Sequence, residues 1–172
     1  QDDLAYGIGW TDEGDYRSDV QMVVGDYPAL FGWDLGHLEL GDSQNLDQVP
    51  FEGMRRNAIW ADSKGGVNTF SWHLRNPLTG GDSWDVSSDK VVWSILHDEA
   101  VSAKYREWLD RLVAFMLSLR RESGELIPVI FRPYHELSGN WFWWCASQCS
   151  VDEYVALWRY TVDYLRDNGV HN

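Results

Sequence analysis

Residues 127–144 read IPVIFRPYHELSGNWFWW. An apolar run from Ile127 to Phe131 gives way to Arg132, Pro133, Tyr134, His135 and Glu136, and four aromatic residues, Trp141 to Trp144, follow at once. The same pattern occurs upstream. Ala29–Trp33 ends in Asp34, Leu35, Gly36, His37 and Glu39, and Gly66–Trp72 ends in His73, Arg75 and Asn76. Ala5–Trp10 is a shorter apolar stretch closed by a turn. Near-continuous apolar runs predict strands covered on both faces, and so a parallel sheet.

Helical patterns separate the runs. Phe51, Met54, Ala58 and Ala61 keep helical spacing, with Pro50 suited to the first turn and Gly65-Gly66 as a stop. Tyr105, Trp108, Leu109, Leu112, Met116 and Leu119 form the clearest apolar stripe, with Arg106–Asp110 and Glu107–Arg111 as expected i,i+4 pairs. Ser150-Val151-Asp152-Glu153 has the capping-box pattern of a third helix, which Asn168-Gly169 ends. The chain thus reads as α/β, with four β/α units. In such folds chemistry gathers at the C-terminal ends of the strands, where this chain places its ionisable residues. No Gly-rich phosphate loop follows any strand, which argues against a nucleotide fold.

The chain has 172 residues and a formal net charge of −13. That length suits one domain, residues 1–172, with roughly two-thirds of its unfolded surface buried. The charge argues against nucleic acid and against an anionic membrane surface, and leaves a neutral polysaccharide open. No run of about 18 apolar residues predicts a membrane-crossing helix. Gln1-Asp2-Asp3 carries no signal-peptide pattern. Eleven Trp is an outlying count. It fits either a rigid core or a surface on which sugar rings stack on indoles. Cys145 and Cys149 are the only cysteines, so a four-ligand zinc site is not expected, and a small-loop disulfide or two thiols both remain open. His37 with Glu39 supplies too few ligands for a metal.

Arg132, His135 and Glu136 leave one strand together. A carboxyl beside large rings loses hydration, which favours its protonated form and suits a general acid. Glycoside hydrolysis needs such an acid and, for retention, a second carboxylate about 5–5.5 Å away. The competing reading makes Arg132–Glu136 a structural ion pair and the Trp residues core. Arg132 is expected to hold Glu136 or another strand-end carboxylate in place. Asp34 is expected to orient a neighbour or pair with an Arg, Glu39 to sit at a surface or loop, and His97 and His171 at the surface or a helix end.

The chain resembles glycoside hydrolase family 26, which is dominated by endo-β-1,4-mannanases. The resemblance runs from Gln1 to Asn172. It rests on Gln1-Asp2-Asp3, Gly32-Trp33-Asp34, Trp72-His73-Leu74-Arg75-Asn76-Pro77, and above all Arg132–Glu136 with Trp141–Trp144. It implies a (β/α)8 TIM barrel with retaining chemistry. It gives the acid/base role to Glu136, places His135 and Trp141 at the subsite of the cleaved sugar with His73 nearby, and makes Trp84 an aromatic platform. Cys145 stands where relatives often have Gly. A full barrel takes about 250 residues, so 172 are expected to cover about its first four β/α units, with the nucleophile glutamate beyond them. No cofactor and no metal are implied, because a carboxylate pair needs none.

The partner so implied is a β-mannan polysaccharide or oligosaccharide, and a secreted, periplasmic or cell-surface protein. Other members cut β-1,3-xylan or mixed-linkage β-glucan. Two further expectations compete: a half-barrel that binds glycan without cleaving it, and a fragment or dimer that completes a barrel with a partner.

Overall fold

The structure is a computed structural model and describes residues 18–172. The expected strand Ala5–Trp10 and the Gln1-Asp2-Asp3 motif lie outside the described residues. In order come α1 (Asp19–Val24), β1 (Leu30–Asp34), a 3-10 turn (Leu38–Leu40), α2 (Phe51–Ser63), β2 (Val67–Trp72), α3 (Val91–His97), α4 (Glu99–Ser118), β3 (Val129–Pro133) and α5 (Val151–Asp167). The three strands form one parallel sheet in the order β1-β2-β3. The register sets Asp34 opposite Ser71, and Ser71 opposite Arg132.

The helix signals act as read. Ser150 and Glu153 close a reciprocal capping box on α5. Gly65 and Gly169 follow the ends of α2 and α5 with φ of 82° and 87°, a region glycine enters without steric penalty. The i,i+4 pairs expected on α4 do not form. Arg106 binds Glu99 at 2.7 Å, Asp110 accepts from the Tyr164 hydroxyl at 2.6 Å, and Arg111 donates to the Glu39 carbonyl. Arg106, Asp110 and Arg111 each find a partner outside the expected pair. The seven-residue α3 has no counterpart in the sequence reading, because two turns are too short for a helical period to stand out. The last strand begins two residues later than read. The Ile127 N–H donates to the Leu119 carbonyl, which ties Ile127 to the end of α4 instead.

One face of the sheet is packed. Phe31, Trp33, Phe70 and Trp72 are buried there. Phe70 meets Phe115 of α4 edge-on at 5.8 Å. The Trp33 indole donates to Asn68, which in turn donates to the Ala58 carbonyl of α2, so the buried polar atoms are paired. The other face is open among the described residues. Leu30, Val67 and Ile130 are 42%, 45% and 52% exposed on it, because no layer of the described residues packs there. A buried hydroxyl cluster of Tyr105, Tyr134 and Thr161 joins α4, the end of β3 and α5. No helix among the described residues is long and apolar enough to cross a membrane.

Candidate active site

Beyond β3 the chain turns sharply. Tyr134 and Glu136 have φ of 51° and 57°, a left-handed conformation that costs a non-glycine residue about 1–2 kcal/mol. Neighbours hold both in place. The Tyr154 hydroxyl donates to the Tyr134 carbonyl at 2.9 Å, and the Gly139 N–H donates to the Glu136 carbonyl at 2.9 Å. These two turns set His135 inward and Glu136 outward.

The Glu136 carboxylate is exposed, and its Oε2 accepts from the Trp141 indole N–H at 2.9 Å. Gly139 makes that contact possible. A Cβ there would lie 2.5 Å from the Trp141 ring. His135 Nε2 lies 3.1 Å from His73 Nε2, and His73 Nδ1 lies 2.7 Å from Asp34 Oδ2. Trp84 stacks on His73 with ring centroids 5.5 Å apart and planes within 13°. The loop carrying Trp84 is pinned by its own turns. Asp82 accepts from the Trp84 N–H, and Asn76 accepts from the Leu78 and Thr79 N–H groups. All five residues expected at the site, His73, Trp84, His135, Glu136 and Trp141, therefore belong to one continuous cluster.

The cluster also contains a residue the sequence reading did not single out. Phe142 is buried and touches His73, Trp84, His135 and Trp141 with centroids 5.3–6.4 Å apart. Its position directly after Trp141 in an aromatic run was the available signal. Of the four aromatics, Trp141 alone is exposed. Phe142, Trp143 and Trp144 are 0–2% exposed, and the two buried indoles donate to the Leu74 and His135 carbonyls. The core reading thus holds for Trp143 and Trp144, and Trp141 is left at the surface. The expected desolvation of Glu136 by a wall of rings is not met, because three of those rings face inward.

Asp34 orients a neighbour, as expected. Its carboxylate takes the Ser71 hydroxyl at 2.6 Å, the Gly36 N–H at 2.7 Å and His73. Burial alone would raise its pKa, but the His73 ring, the Ser71 hydroxyl and the Gly36 N–H hold it below the ordinary value. His135 goes the same way for a different reason. Burial first, then the charges of His73 and Arg132, push its pKa down to about 4. Arg132 makes no ion pair with Glu136 among the described residues. It sits on the open face of the sheet across from Ser71, with two left-handed turns between it and the Glu136 carboxylate.

Glu39 corrects a second expectation. It is 0% exposed, and its carboxylate takes the Trp72 indole N–H at 2.9 Å and the Arg75 N–H at 2.8 Å. Burial pushes its pKa up, against those two donors. His37 turns away from it toward Asp42, 3.7 Å off, so the two do not converge. No group of three or more His, Cys, Asp or Glu among the described residues is placed to hold a metal ion. Both cysteines are free thiols, and Cys145 lies 3.5 Å from the Glu136 carbonyl. His97 closes α3 beside Trp93, as expected of a helix-end residue.

A sequence model of the family described as "Glycosyl hydrolase family 26" matches residues 5–172. The chain belongs to that family. A mannan endo-1,4-β-mannosidase of Bifidobacterium adolescentis is 41% identical over 161 residues, covering 91% of this chain and 16% of that protein. A mannan endo-1,4-β-mannosidase of Bacillus subtilis strain 168 is 30% identical over 158 residues, covering 86% of this chain and 42% of the other. Among solved structures, a GH26 β-mannanase from Bacteroides ovatus superposes with a TM-score of 0.92 at 50% identity, covering 98% of this chain and 49% of that one. The chain thus spans half or less of the length of these relatives. The three strands and their helices are a portion of the family's (β/α)8 barrel, consistent with its N-terminal half, and the cluster lies at the C-terminal ends of the strands, where barrel enzymes place their chemistry.

Proposed function

We propose that residues 1–172 carry the acid/base side of a retaining endo-β-1,4-mannanase, with Glu136 as general acid/base and β-mannan as substrate. One observation carries this reading. Glu136 stands exposed at the end of β3 with the Trp141 indole N–H on its carboxylate, beside the His73–Trp84 stack, in a family whose relatives are named mannan endo-1,4-β-mannosidases.

In this mechanism protonated Glu136 gives its proton to the glycosidic oxygen as the bond to the anomeric carbon breaks. It then takes a proton from the water that releases the glycosyl-enzyme. Trp141 holds the carboxylate in one orientation between these steps. Trp84, half exposed, offers a flat face for a pyranose ring, with His73 stacked on it and His135 beside His73. Retention needs a second carboxylate. Asp34 and Glu39 do not fit that role, because the first is committed to His73 and Ser71 and the second is sealed beneath Trp72. The nucleophile belongs to the part of the family barrel that these residues do not span. A polymeric substrate fits a secreted, periplasmic or cell-surface enzyme.

The test is Glu136→Gln in the full-length protein. Turnover of mannan should fall about 10²–10⁴-fold, while manno-oligosaccharide binding stays within a few-fold. Turnover close to that of the parent would remove Glu136 from the mechanism. A parent that binds mannan and never releases new reducing ends would make the protein a binding module.

A further inference from the structure

We propose that Asp34 is a positioning residue acting on the acid/base segment through two histidines: it fixes the hydrogen on His73 Nδ1, so that His73 Nε2 accepts from His135 Nε2–H and the imidazole directly before Glu136 is held in one tautomer and one orientation. The inference rests on Glu136 as acid/base for its effect on turnover. The hydrogen-bond assignment itself does not depend on that.

Three polar groups lie within 2.7 Å of the Asp34 carboxylate, and the His73 backbone N–H reaches Oδ1 at 3.5 Å. Oδ2 receives the Ser71 hydroxyl at 2.6 Å and faces His73 Nδ1 at 2.7 Å, while Oδ1 receives the Gly36 N–H at 2.7 Å. Ser71 Oγ also lies 3.2 Å from the Trp33 carbonyl, but its closer contact is with Oδ2, and with the Gly36 N–H on Oδ1 and the lowered pKa of Asp34 the carboxylate is ionised and can only accept from the ring facing it. His73 Nδ1 therefore carries a hydrogen. The contact between His73 Nε2 and His135 Nε2, 3.1 Å, then holds one hydrogen; with the His135 cation excluded at neutral pH by a pKa pushed down to about 4, two arrangements provide it. In the first, His73 is neutral and His135 donates from Nε2. In the second, His73 is a cation and donates, and His135 carries its hydrogen on Nδ1.

The far side of the His135 ring separates the two. His135 Nδ1 is buried and has no hydrogen-bond partner among the described residues. In the first arrangement it is a bare lone pair, and in the second an N–H donor without an acceptor. Unpaired buried N–H groups are the rarer and more costly case. The charged groups facing the pair divide. Asp34 from the end of β1 and Glu136 beyond β3 favour an added proton, while Arg132 on β3 opposes it. The remaining walls are the Trp84, Phe142 and Trp144 rings, which offer a cation no hydrogen-bond acceptor. The first arrangement prevails at neutral pH.

The consequence reaches Glu136 through the backbone. The Trp144 indole N–H holds the His135 carbonyl at 2.8 Å, and His73 holds the His135 ring. With both ends of His135 fixed, the left-handed Glu136 that follows has one place to stand. An asparagine at position 34 can turn its amide toward His73 Nδ1. Every hydrogen in the line would then reverse, leaving His135 with its hydrogen on Nδ1, unpaired.

The experiment uses the full-length protein labelled with 15N-histidine, with the His135 signals assigned from their loss in His135→Gln. In the parent at pH 7, His135 should show a protonated Nε2 and a bare Nδ1. In Asp34→Asn the Nδ1-protonated form should appear, and kcat should fall roughly 10-fold or more with KM changed less than three-fold, since small misplacements near the chemistry carry penalties of that size. A parent His135 protonated on Nδ1 overturns the proposal, and that measurement needs no variant. So does an Asp34→Asn protein whose His135 tautomer is unchanged, whatever its activity. Full turnover by Glu136→Gln would instead sink the acid/base reading and leave the tautomer assignment standing.

Discussion

Replacing Thr161 by Val removes one oxygen atom and leaves the outline of α5 nearly unchanged. The site sits above this residue, because Tyr134, which precedes His135, bonds to it. Tyr105, Tyr134 and Thr161 are 0%, 1% and 0% exposed, so no water substitutes for a lost partner. The hydroxyls carry three hydrogens. That of Thr161 goes to the Leu157 carbonyl at 2.9 Å. One tyrosine donates to the other, and the second donates to Thr161 Oγ1, which lies 2.9 Å from Tyr105 and 2.8 Å from Tyr134. Tyr105→Phe or Tyr134→Phe removes one donor, and the remaining tyrosine still reaches Thr161. Each should cost about 1 kcal/mol, the net worth of one hydrogen bond. Thr161→Val removes the final acceptor and strands one tyrosine hydrogen. The added penalty for a buried unpaired group is about 1–3 kcal/mol, for a total of roughly 2–4 kcal/mol. Urea unfolding of the full-length protein, followed by Trp fluorescence, measures all three variants. A Thr161→Val protein no less stable than the two Tyr→Phe variants would refute the hydrogen count.

Glu39→Gln should also destabilise, by about 1–3 kcal/mol. Both carboxylate oxygens accept N–H groups, and an amide must turn its NH2 toward either the Trp72 indole or the Arg75 N–H. Unchanged thermal unfolding would contradict this. Acid should weaken the fold through His135. Its pKa of about 4 in the folded state lies below the ordinary 6.5, so the unfolded chain binds the extra proton first, and stability falls as pH drops from 6.5 toward 4. At about 1.4 kcal/mol per unit, discounted for a half-buried ring, the loss is roughly 1–3 kcal/mol. His135→Gln should flatten the slope of melting temperature against pH over that range, and an equal slope in both proteins would count against it. Gly139→Ala should push the Trp141 ring off Glu136, since the new Cβ would lie 2.5 Å from it. Mannan turnover should drop several-fold with little change in melting temperature. Full activity would show that the indole contact is not needed.

Much of the architecture was legible because its signals are local. The capping box at Ser150 and Glu153, the stops at Gly65 and Gly169 and the stripe from Tyr105 to Met116 each depend on residues a few positions apart. The three described strands were legible to within two residues for the same reason. The left-handed turns at Tyr134 and Glu136 were not, because neither residue is the glycine that marks such a turn. The partners of Arg106, Asp110 and Arg111 were misread because a neighbour on the same helix competes with groups that folding brings closer.

By itself the sequence determined the order of the three described strands and of α2, α4 and α5, the ionisable residues that follow each of those strands, and the Arg132–Trp144 motif that points to the family. Tertiary structure decided which of those residues meet. Asp34 and His73 are 39 positions apart and His73 and His135 are 62 apart, yet parallel pairing lays their strand ends side by side. It also decided that Trp141 stands exposed while Phe142, Trp143 and Trp144 fill the core, and that Glu39 lies sealed under Trp72. The local pattern is the same for all four rings. Only the packing of α4, α5 and the loops after the strands settles which one faces water, because burial belongs to surroundings that the neighbouring residues do not encode.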